Sequence, residues 1–337
     1  MKTIENAKFQ LQLQLFAENV QTTLSEGLSD EMKTFYEKRL IELAEPNLVY
    51  DQLGEKYPIP KNGGKTIEMR KFSPLPKAMD KLTEGVTPDG QDLNVTAITA
   101  TVDEYGAFVT HSDMLQMTAI DNVVVQTTKL LAAQAGRTLD SVVRDVITAG
   151  TNVMYASKAD GTEVLSRANV AADCVLTPEM IFKAVARLRS MNAAPQGDTF
   201  VAVVHPNVAA DLMMSDKWLD WHKYATPENI YRGEIGQIAG VRFVQSTEAK
   251  IFGGAGADGV SVYATMIVGA GAYGVTEVEG GGLQHYVKPL GSAGAADPLN
   301  QRASIGWKAT KVAERLVEEY MVRIEHASKV GAKAASN

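Results

Sequence analysis

Apolar residues along this chain repeat with two different periods, and the switches between them mark out its elements. Near the N-terminus Phe9, Leu11, Leu13 and Leu15 alternate with Gln10, Gln12 and Gln14, a period of two that gathers the apolar side chains on one face of a strand. From Ser29 the period lengthens. Met32, Phe35, Tyr36, Leu40, Leu43 and Ala44 share a helical face, with Ser29 as N-cap and Pro46 closing the segment. Two β-rich runs follow, Lys65–Phe72 and Leu93–Thr110, and the stretch between them carries Pro74, Pro76, Gly85, Pro88 and Gly90. Proline fixes φ and removes a backbone donor, so this stretch is a long loop and the whole is a hairpin-like arm. A loop of that length is usually functional or completed by a partner.

The strongest helical pattern comes next. Ile120, Val123, Val124, Thr127, Leu130, Leu131, Leu139, Val142, Val143, Val146 and Ile147 recur every 3.6 residues and predict a helix over Thr118–Ala149, with Thr118 and Asp121 as a capping box and Gly150 just past its end. At 1.5 Å per residue it would reach about 45 Å. A second helix is expected from Thr177 and Pro178, with Met180, Ile181, Ala184, Val185, Leu188 and Met191 inward. Phe200–Val204 has the apolar run of a buried strand, and Pro206–Met214 that of a short helix. Val241–Gln245, Val260–Val268, Val275–Val278 and Leu283–Val287 are strands punctuated by glycines. Together these predict a compact α+β domain. Ala303–Ile324 fits helix or strand; Gly306, Trp307 and the β-branched residues favour strands. Residues 327–337 have the composition of a disordered polar tail.

Composition narrows the function classes. The chain has 337 residues, 45% of them hydrophobic and 22% charged, with a formal charge of −7, enough for roughly two domains of ~100–200 residues. The acidic balance argues against a protein that grips phosphates through clustered Lys and Arg. One cysteine, Cys174, rules out an intrachain disulfide and a Cys-rich zinc site. No apolar run is long enough to span a bilayer, and Gln10, Gln12 and Gln14 interrupt what would be the apolar core of a signal peptide.

Candidate chemistry does not survive its context. Gly254-Gly256-Gly259 and Gly269-Gly271-Gly274 fit G-x-G-x-x-G, yet each leads into a strand, and a dinucleotide site needs a helix there. Gly64-Lys65-Thr66 has the end of a phosphate-binding loop without its earlier glycine, and is a turn entering a strand. His111, His205, His222, His285 and His326 show no paired-ligand spacing. His111-Ser112-Asp113 holds the residue types of a triad, but chain neighbours rarely face one another in triad geometry. Trp218, Trp221, His222 and Tyr224 suit a packed helix-to-loop corner or a subunit contact better than a base-stacking platform, because no basic cluster surrounds them. Glu277 and Glu279 share a strand face and are expected to be solvated. No catalytic, cofactor or metal residue is assigned.

The order of an N-terminal arm, a loop-bearing hairpin, a long helix, an α+β domain and returning strands resembles the Hong Kong 97-type capsid fold of tailed bacteriophages. The likeness is carried by Met32-Lys33-Thr34-Phe35-Tyr36, Ile59-Pro60-Lys61-Asn62-Gly63-Gly64-Lys65-Thr66, Phe72-Ser73-Pro74-Leu75-Pro76, Leu82-Thr83-Glu84-Gly85-Val86-Thr87-Pro88, Ala225-Thr226-Pro227-Glu228-Asn229-Ile230 and Asp297-Pro298-Leu299-Asn300-Gln301-Arg302. It runs from about Leu28 to Glu325. It implies an α+β fold with an N-terminal arm at 1–56, an extended loop hairpin at 57–112, a spine helix and peripheral domain at 113–170, an axial domain at 171–290, returning peripheral strands at 291–326 and a flexible tail at 327–337.

The resemblance also implies the activity: a structural major capsid protein, not an enzyme, assembling in the bacterial host cytoplasm as hexamers and pentamers of an icosahedral virion shell. That shell encloses double-stranded DNA without specific recognition. Scaffold, portal and decoration proteins are the implied partners, with no membrane and no cofactor. Pro74, Pro76, Lys77, Lys81, Gly85 and Pro88 are the expected inter-subunit contacts of the loop. Some relatives join a lysine to an asparagine covalently; Lys77 and Lys81 have no identifiable partner for this, so that chemistry is not carried over.

Leu13-Gln14-Leu15-Phe16-Ala17-Glu18 is similar to a segment of certain Firmicute ribosomal and phage proteins that a host cysteine protease removes. This implies cleavage between Phe16 and Ala17; an arm strand that stays attached is the alternative. Two rival functions fit the same sequence. One is a cellular nanocompartment shell of the same fold, the other a nucleotide-binding enzyme using a glycine loop.

Overall fold

The computed structural model describes residues 20–21, 49–72, 75–79, 81, 84–85, 87, 90–119, 123–215, 218, 236–276, 278 and 283–337. The period-two segment Phe9–Leu15 and the helix expected from Ser29 to Pro46 lie outside them, as do Trp221, His222, Tyr224, Glu277 and Glu279.

The first half of the chain forms β1 (Val20–Gln21), α1 (Val49–Leu53), β2 (Glu55–Lys56), β3 (Thr66–Phe72), β4 (Val95–Thr101), β5 (Asp103–Ser112), α2 (Asp113–Thr118) and α3 (Val123–Thr148). Beyond it lie β6 (Val153–Tyr155), α4 (Pro178–Ser190), β7 (Phe200–Val204), α5 (Pro206–Met213), β8 (Gln237–Ile238), β9 (Val241–Gln245) and β10 (Ile251–Phe252). The last strands are β11 (Val262–Val268), β12 (Tyr273–Thr276), β13 (Gln284–Lys288), β14 (Arg302–Arg315) and β15 (Met321–His326). Two compact units result. One holds the described parts of Met1–Leu43, Gly106–Ala135 and Leu283–Lys308, the other those of Ala44–Tyr105, Gly136–Gly282 and Ala309–Asn337.

The larger unit is built on a sheet of order β6-β15-β11-β7-β9-β8, with β10 added to β11. All five residues of β7 are buried, and because successive side chains point to opposite faces, the strand feeds two cores. Ala202 and Val204 join Ile181, Leu188 and Leu212 of α4 and α5, while Val203 joins Val143 and Ile147 of α3. The caps of α4 are those its sequence promises. Thr177 accepts from the Met180 N–H at 3.4 Å, and Pro178 stands in the first turn. In the same unit β12 pairs antiparallel with β14 and parallel with β2, and β3 and β4 form a separate ribbon in register from Thr66↔Thr101 to Phe72↔Val95.

In the smaller unit β5 lies between β1 and β14. The β1 pairing is parallel, Val20 opposite Thr110 and Gln21 opposite His111. Strand β13 runs antiparallel to β14, Gln284↔Lys308 through Lys288↔Ser304. Ala303, Ile305 and Trp307 of β14 are buried, and the Trp307 indole donates to Gln134 of α3 at 3.3 Å.

Two expectations from the pattern change. The long helix does not begin at Thr118. Ser112 caps a separate short helix by accepting from the Leu115 N–H at 3.2 Å, and the Thr118 hydroxyl donates to the Met114 carbonyl at 2.7 Å, so Thr118 closes α2. The polar stretch 327–337 is also docked in place. Ala327 and Ser328 are buried, Ser261 donates to the Ala334 carbonyl at 2.7 Å, Tyr263 donates to the Gly331 carbonyl at 2.8 Å, and Asn337 is held by Ile251 and Ala249 at 2.9 Å each. Backbone carbonyls make most of these contacts, which a side-chain pattern does not register.

Candidate assembly surfaces

The β3–β4 ribbon has a fixed root and an exposed tip. Met69 and Ala100 are buried at the root, and the site of a side chain at Gly274 is filled by Met69 Sδ and the Tyr57 ring, 2.9 and 3.0 Å from where a Cβ would stand. Lys71 pairs with Glu319 at 3.6 Å, and the Val102 N–H donates to the Lys65 carbonyl at 2.8 Å. Towards the tip the described residues have no regular structure. There Leu75, Met79 and Leu93 are 55%, 79% and 61% exposed. Removing such side chains from water is worth about 1.5–3 kcal/mol each, a gain this unit does not realise by itself.

Pro76, Lys77, Lys81 and Gly85 all stand exposed on this tip, with Gly85 at φ 77 and open space around it. Pro74 and Pro88 lie outside the described residues, as do Phe16 and Ala17. The smaller unit has apolar surface of its own. Every residue of β13 is exposed, and so are Phe108, Met117 and Leu299.

Several of the residues that could have signalled chemistry have structural roles instead. Gly254 and Gly256 precede a short 3-10 turn that ends at Gly259, just before β11, and Gly269 and Gly271 carry the chain from β11 into β12, where Gly274 lies. Asn62 and Gly64 adopt positive φ in the turn that leads into β3. Ser112 Oγ and Asp113 Oδ1 accept from backbone N–H groups at the start of α2. His205 caps α5 by accepting from the Asn207 N–H at 3.2 Å. Trp218 is buried edge-on to Phe243, ring centres 6.4 Å apart. Among the described residues no three His, Cys, Asp or Glu side chains gather as a metal site, and no helix is long and apolar enough to cross a membrane.

Three buried polar clusters of the larger unit escape a motif search. Glu325, fully buried, receives Arg167 at 2.6 and 2.8 Å and Arg323 at 2.8 Å. Burial lowers the Arg323 pKa, while the hydrogen bond to Glu325 raises that of Arg167. His326 Nδ1 lies 3.0 Å from the Ala327 carbonyl and Nε2 lies 2.8 Å from the Thr265 hydroxyl; a carbonyl only accepts, so Nδ1 carries the proton and Nε2 accepts. Asp140 of α3 accepts from the backbone N–H groups of Tyr50 and Asp51, at 2.8 and 3.4 Å, and so caps α1 from another helix. Burial raises its pKa to about 6. A charged residue inside an apolar run, as in Met321-Val322-Arg323-Ile324-Glu325-His326, was the legible trace of the first cluster.

A family model described as phage capsid protein matches residues 95–321. Among solved structures, the capsid of Ralstonia phage GP4 is similar at 12% identity, covering 92% of this chain and 98% of that one with a TM-score of 0.67. The capsid of cyanophage P-SCSP1u is similar at 12% identity over 90% and 95%, TM-score 0.65. The capsid asymmetric unit of cyanophage Pam1 is similar at 14% identity over 88% and 94%, TM-score 0.65. No curated protein matches the chain.

Proposed function

The chain belongs to the phage capsid protein family, and from that premise we propose that it tiles an icosahedral phage head as hexamers and pentamers joined through the tip of the β3–β4 ribbon. The fold is the Hong Kong 97-type capsid fold. The protein is the structural, non-enzymatic major capsid protein of the head, and its copies form the shell of the virion. The main support for the proposal is the ribbon, rooted by Met69 and Lys71 while Leu75, Met79 and Leu93 stay exposed. An arm of this kind buries its apolar side chains only when a neighbouring subunit lies against it.

In this reading Pro74, Pro76, Lys77, Lys81, Gly85 and Pro88 contact adjacent subunits. Region 57–112 serves as the extended loop between an N-terminal arm at 1–56 and a spine and peripheral region at 113–170. Residues 171–290 form the axial domain, and 291–326 return to the peripheral one. Assembly takes place in the bacterial host cytoplasm with a scaffold, a portal and decoration proteins. The shell encloses double-stranded DNA without gripping it, in keeping with a net charge of −7. A host cysteine protease cuts between Phe16 and Ala17 before the particle matures.

Two measurements test these statements. Replacing residues 75–93 by a short Gly/Ser linker should leave a folded subunit that forms no closed shells by electron microscopy; normal shells from this variant contradict the contact role of the loop. Intact mass of the subunit from mature particles should begin at Ala17, and a mass that retains Met1–Phe16 throughout contradicts the processing.

A further inference from the structure

Residues 328–337 read Ser-Lys-Val-Gly-Ala-Lys-Ala-Ala-Ser-Asn. With so little apolar surface to bury, this segment is held on the larger unit by hydrogen bonds, as a strap. Its near end is fixed by Asp211 of α5, whose Oδ2 accepts from the Ser328 hydroxyl at 2.6 Å and the Lys329 N–H at 2.8 Å. Its middle crosses β11, where the Ser261 N–H donates to the Ala332 carbonyl at 2.9 Å and the Tyr263 hydroxyl to the Gly331 carbonyl at 2.8 Å. At the far end Lys250 Nζ lies 2.8 Å from the Asn337 backbone oxygen. A carbonyl accepts equally at every pH, so any pH dependence of the strap must come from the groups that reach it.

One of those groups is tied to a histidine. The Tyr263 hydroxyl that donates to Gly331 accepts in turn from Asn207 Nδ2 at 3.1 Å. Asn207 is the second residue of α5, and its backbone N–H donates to His205 Nδ1 at 3.2 Å. An imidazole nitrogen accepts only while it carries no proton, so this cap requires a neutral His205 with the proton on Nε2. Protonation turns Nδ1 into a donor facing another donor. It also sets a positive charge at the N-terminus of α5, the end of a helix that disfavours a cation. The first turn then loses its cap, and with it the fixed position from which the Asn207 carboxamide orients the Tyr263 hydroxyl.

The titratable groups packed about His205 are few. The Tyr263 ring of β11 lies 5.3 Å away, centre to centre, and His326 of β15 stacks on that ring at 6.4 Å. Asp211, further along α5, is engaged by the strap itself. His326 is wholly buried, with its nitrogens engaged by Thr265 and Ala327, and its pKa of about 4 places its proton uptake below that of the half-buried His205.

We propose that residues 328–337 form an acid-released strap whose trigger is His205, acting through Asn207 and Tyr263 on Gly331. Because burial lowers the His205 pKa from 6.5, the grip is complete above about pH 6.5 and is lost as pH falls through the lowered value. Release uncovers Ser261 and Tyr263 and leaves β11 paired with β10, β15 and β7.

A dye on the strap tests the release. Val330 is 56% exposed and the native Cys174 is buried, so a thiol-reactive fluorophore on Val330→Cys in the full-length chain reports the strap alone. From about pH 7.5 down to about 4.5 its anisotropy should fall towards that of a freely moving dye, while the far-UV circular dichroism stays constant. His205→Asn keeps a capping oxygen that does not titrate, and should postpone the fall to about pH 4, where His326 takes its proton. Tyr263→Phe should lower the anisotropy already at neutral pH, and His326→Gln should leave the midpoint where it is. In the unaltered chain, amide exchange over residues 329–336, corrected for its intrinsic pH dependence, should rise at least about tenfold across the same window. A flat parent profile, an unshifted fall in His205→Asn, or a fall that only His326→Gln removes each overturns the proposal. So do parent-like anisotropy in Tyr263→Phe, a fall that coincides with loss of the circular dichroism signal, and unchanged exchange over the strap.

Discussion

Asp140 shows how one residue joins two elements and leaves a pH signature. Its Oδ1 holds the first turn of α1, and its Oδ2 has no partner among the described residues, so the charged form is incompletely satisfied. With its pKa raised from 3.8 to about 6, the folded state binds the proton more tightly than the unfolded one. The stability this contributes is complete below about pH 3.8 and is lost as pH rises through about 6. Asp140→Asn keeps an acceptor and removes the charge. Its unfolding midpoint should lose that slope and match or exceed the parent at neutral pH. Asp140→Ala removes the acceptor and should cost about 1–3 kcal/mol. An identical pH profile for the Asp140→Asn variant and the parent in urea unfolding contradicts the assignment. His326 acts in the opposite direction. Burial lowers its pKa from 6.5 to about 4, so its contribution is complete above about 6.5 and is lost as pH falls to about 4. His326→Gln should flatten the acid limb of the stability curve in that window.

At the scale of elements, the docked C-terminal segment is as specifically packed as a core strand. A Cβ at Gly331 would stand 2.2 Å from the Tyr263 hydroxyl and 2.4 Å from Asn207 Nδ2, two groups that already bond each other at 3.1 Å. Gly331→Ala should destabilise the subunit by about 1–3 kcal/mol through overpacking, read as a lower urea midpoint. A change within about 0.5 kcal/mol, the usual range for a surface substitution, would show that the segment is free. The sequence did not reveal this docking because small residues make it through backbone groups. It did reveal α4, whose cap, first-turn proline and inward face all sit in consecutive residues. The long helix was legible in its period and misplaced at its start, since Thr118 has cap chemistry whether it opens a helix or closes the one before. Likewise the ribbon was readable from its β-rich flanks and prolines, while its root was not: Met69, Gly274 and Tyr57 meet only through the tertiary fold.

For the whole molecule, the capsid reading joins surfaces that are exposed in one chain. Leu75→Ser with Met79→Ser removes apolar surface that touches no core, so the stability of the isolated subunit should change by no more than about 0.5 kcal/mol. Shell formation should slow or fail, as followed by light scattering. Loss of subunit stability equal to the loss of assembly would place these residues in the fold and not between subunits. Electron microscopy of the purified full-length protein, expressed alone and with a scaffold protein, should show closed icosahedral shells whose hexamers and pentamers meet through the β3–β4 tip. Monodisperse single subunits under every assembly condition, or shells in which that tip projects into solvent untouched, would contradict the capsid reading.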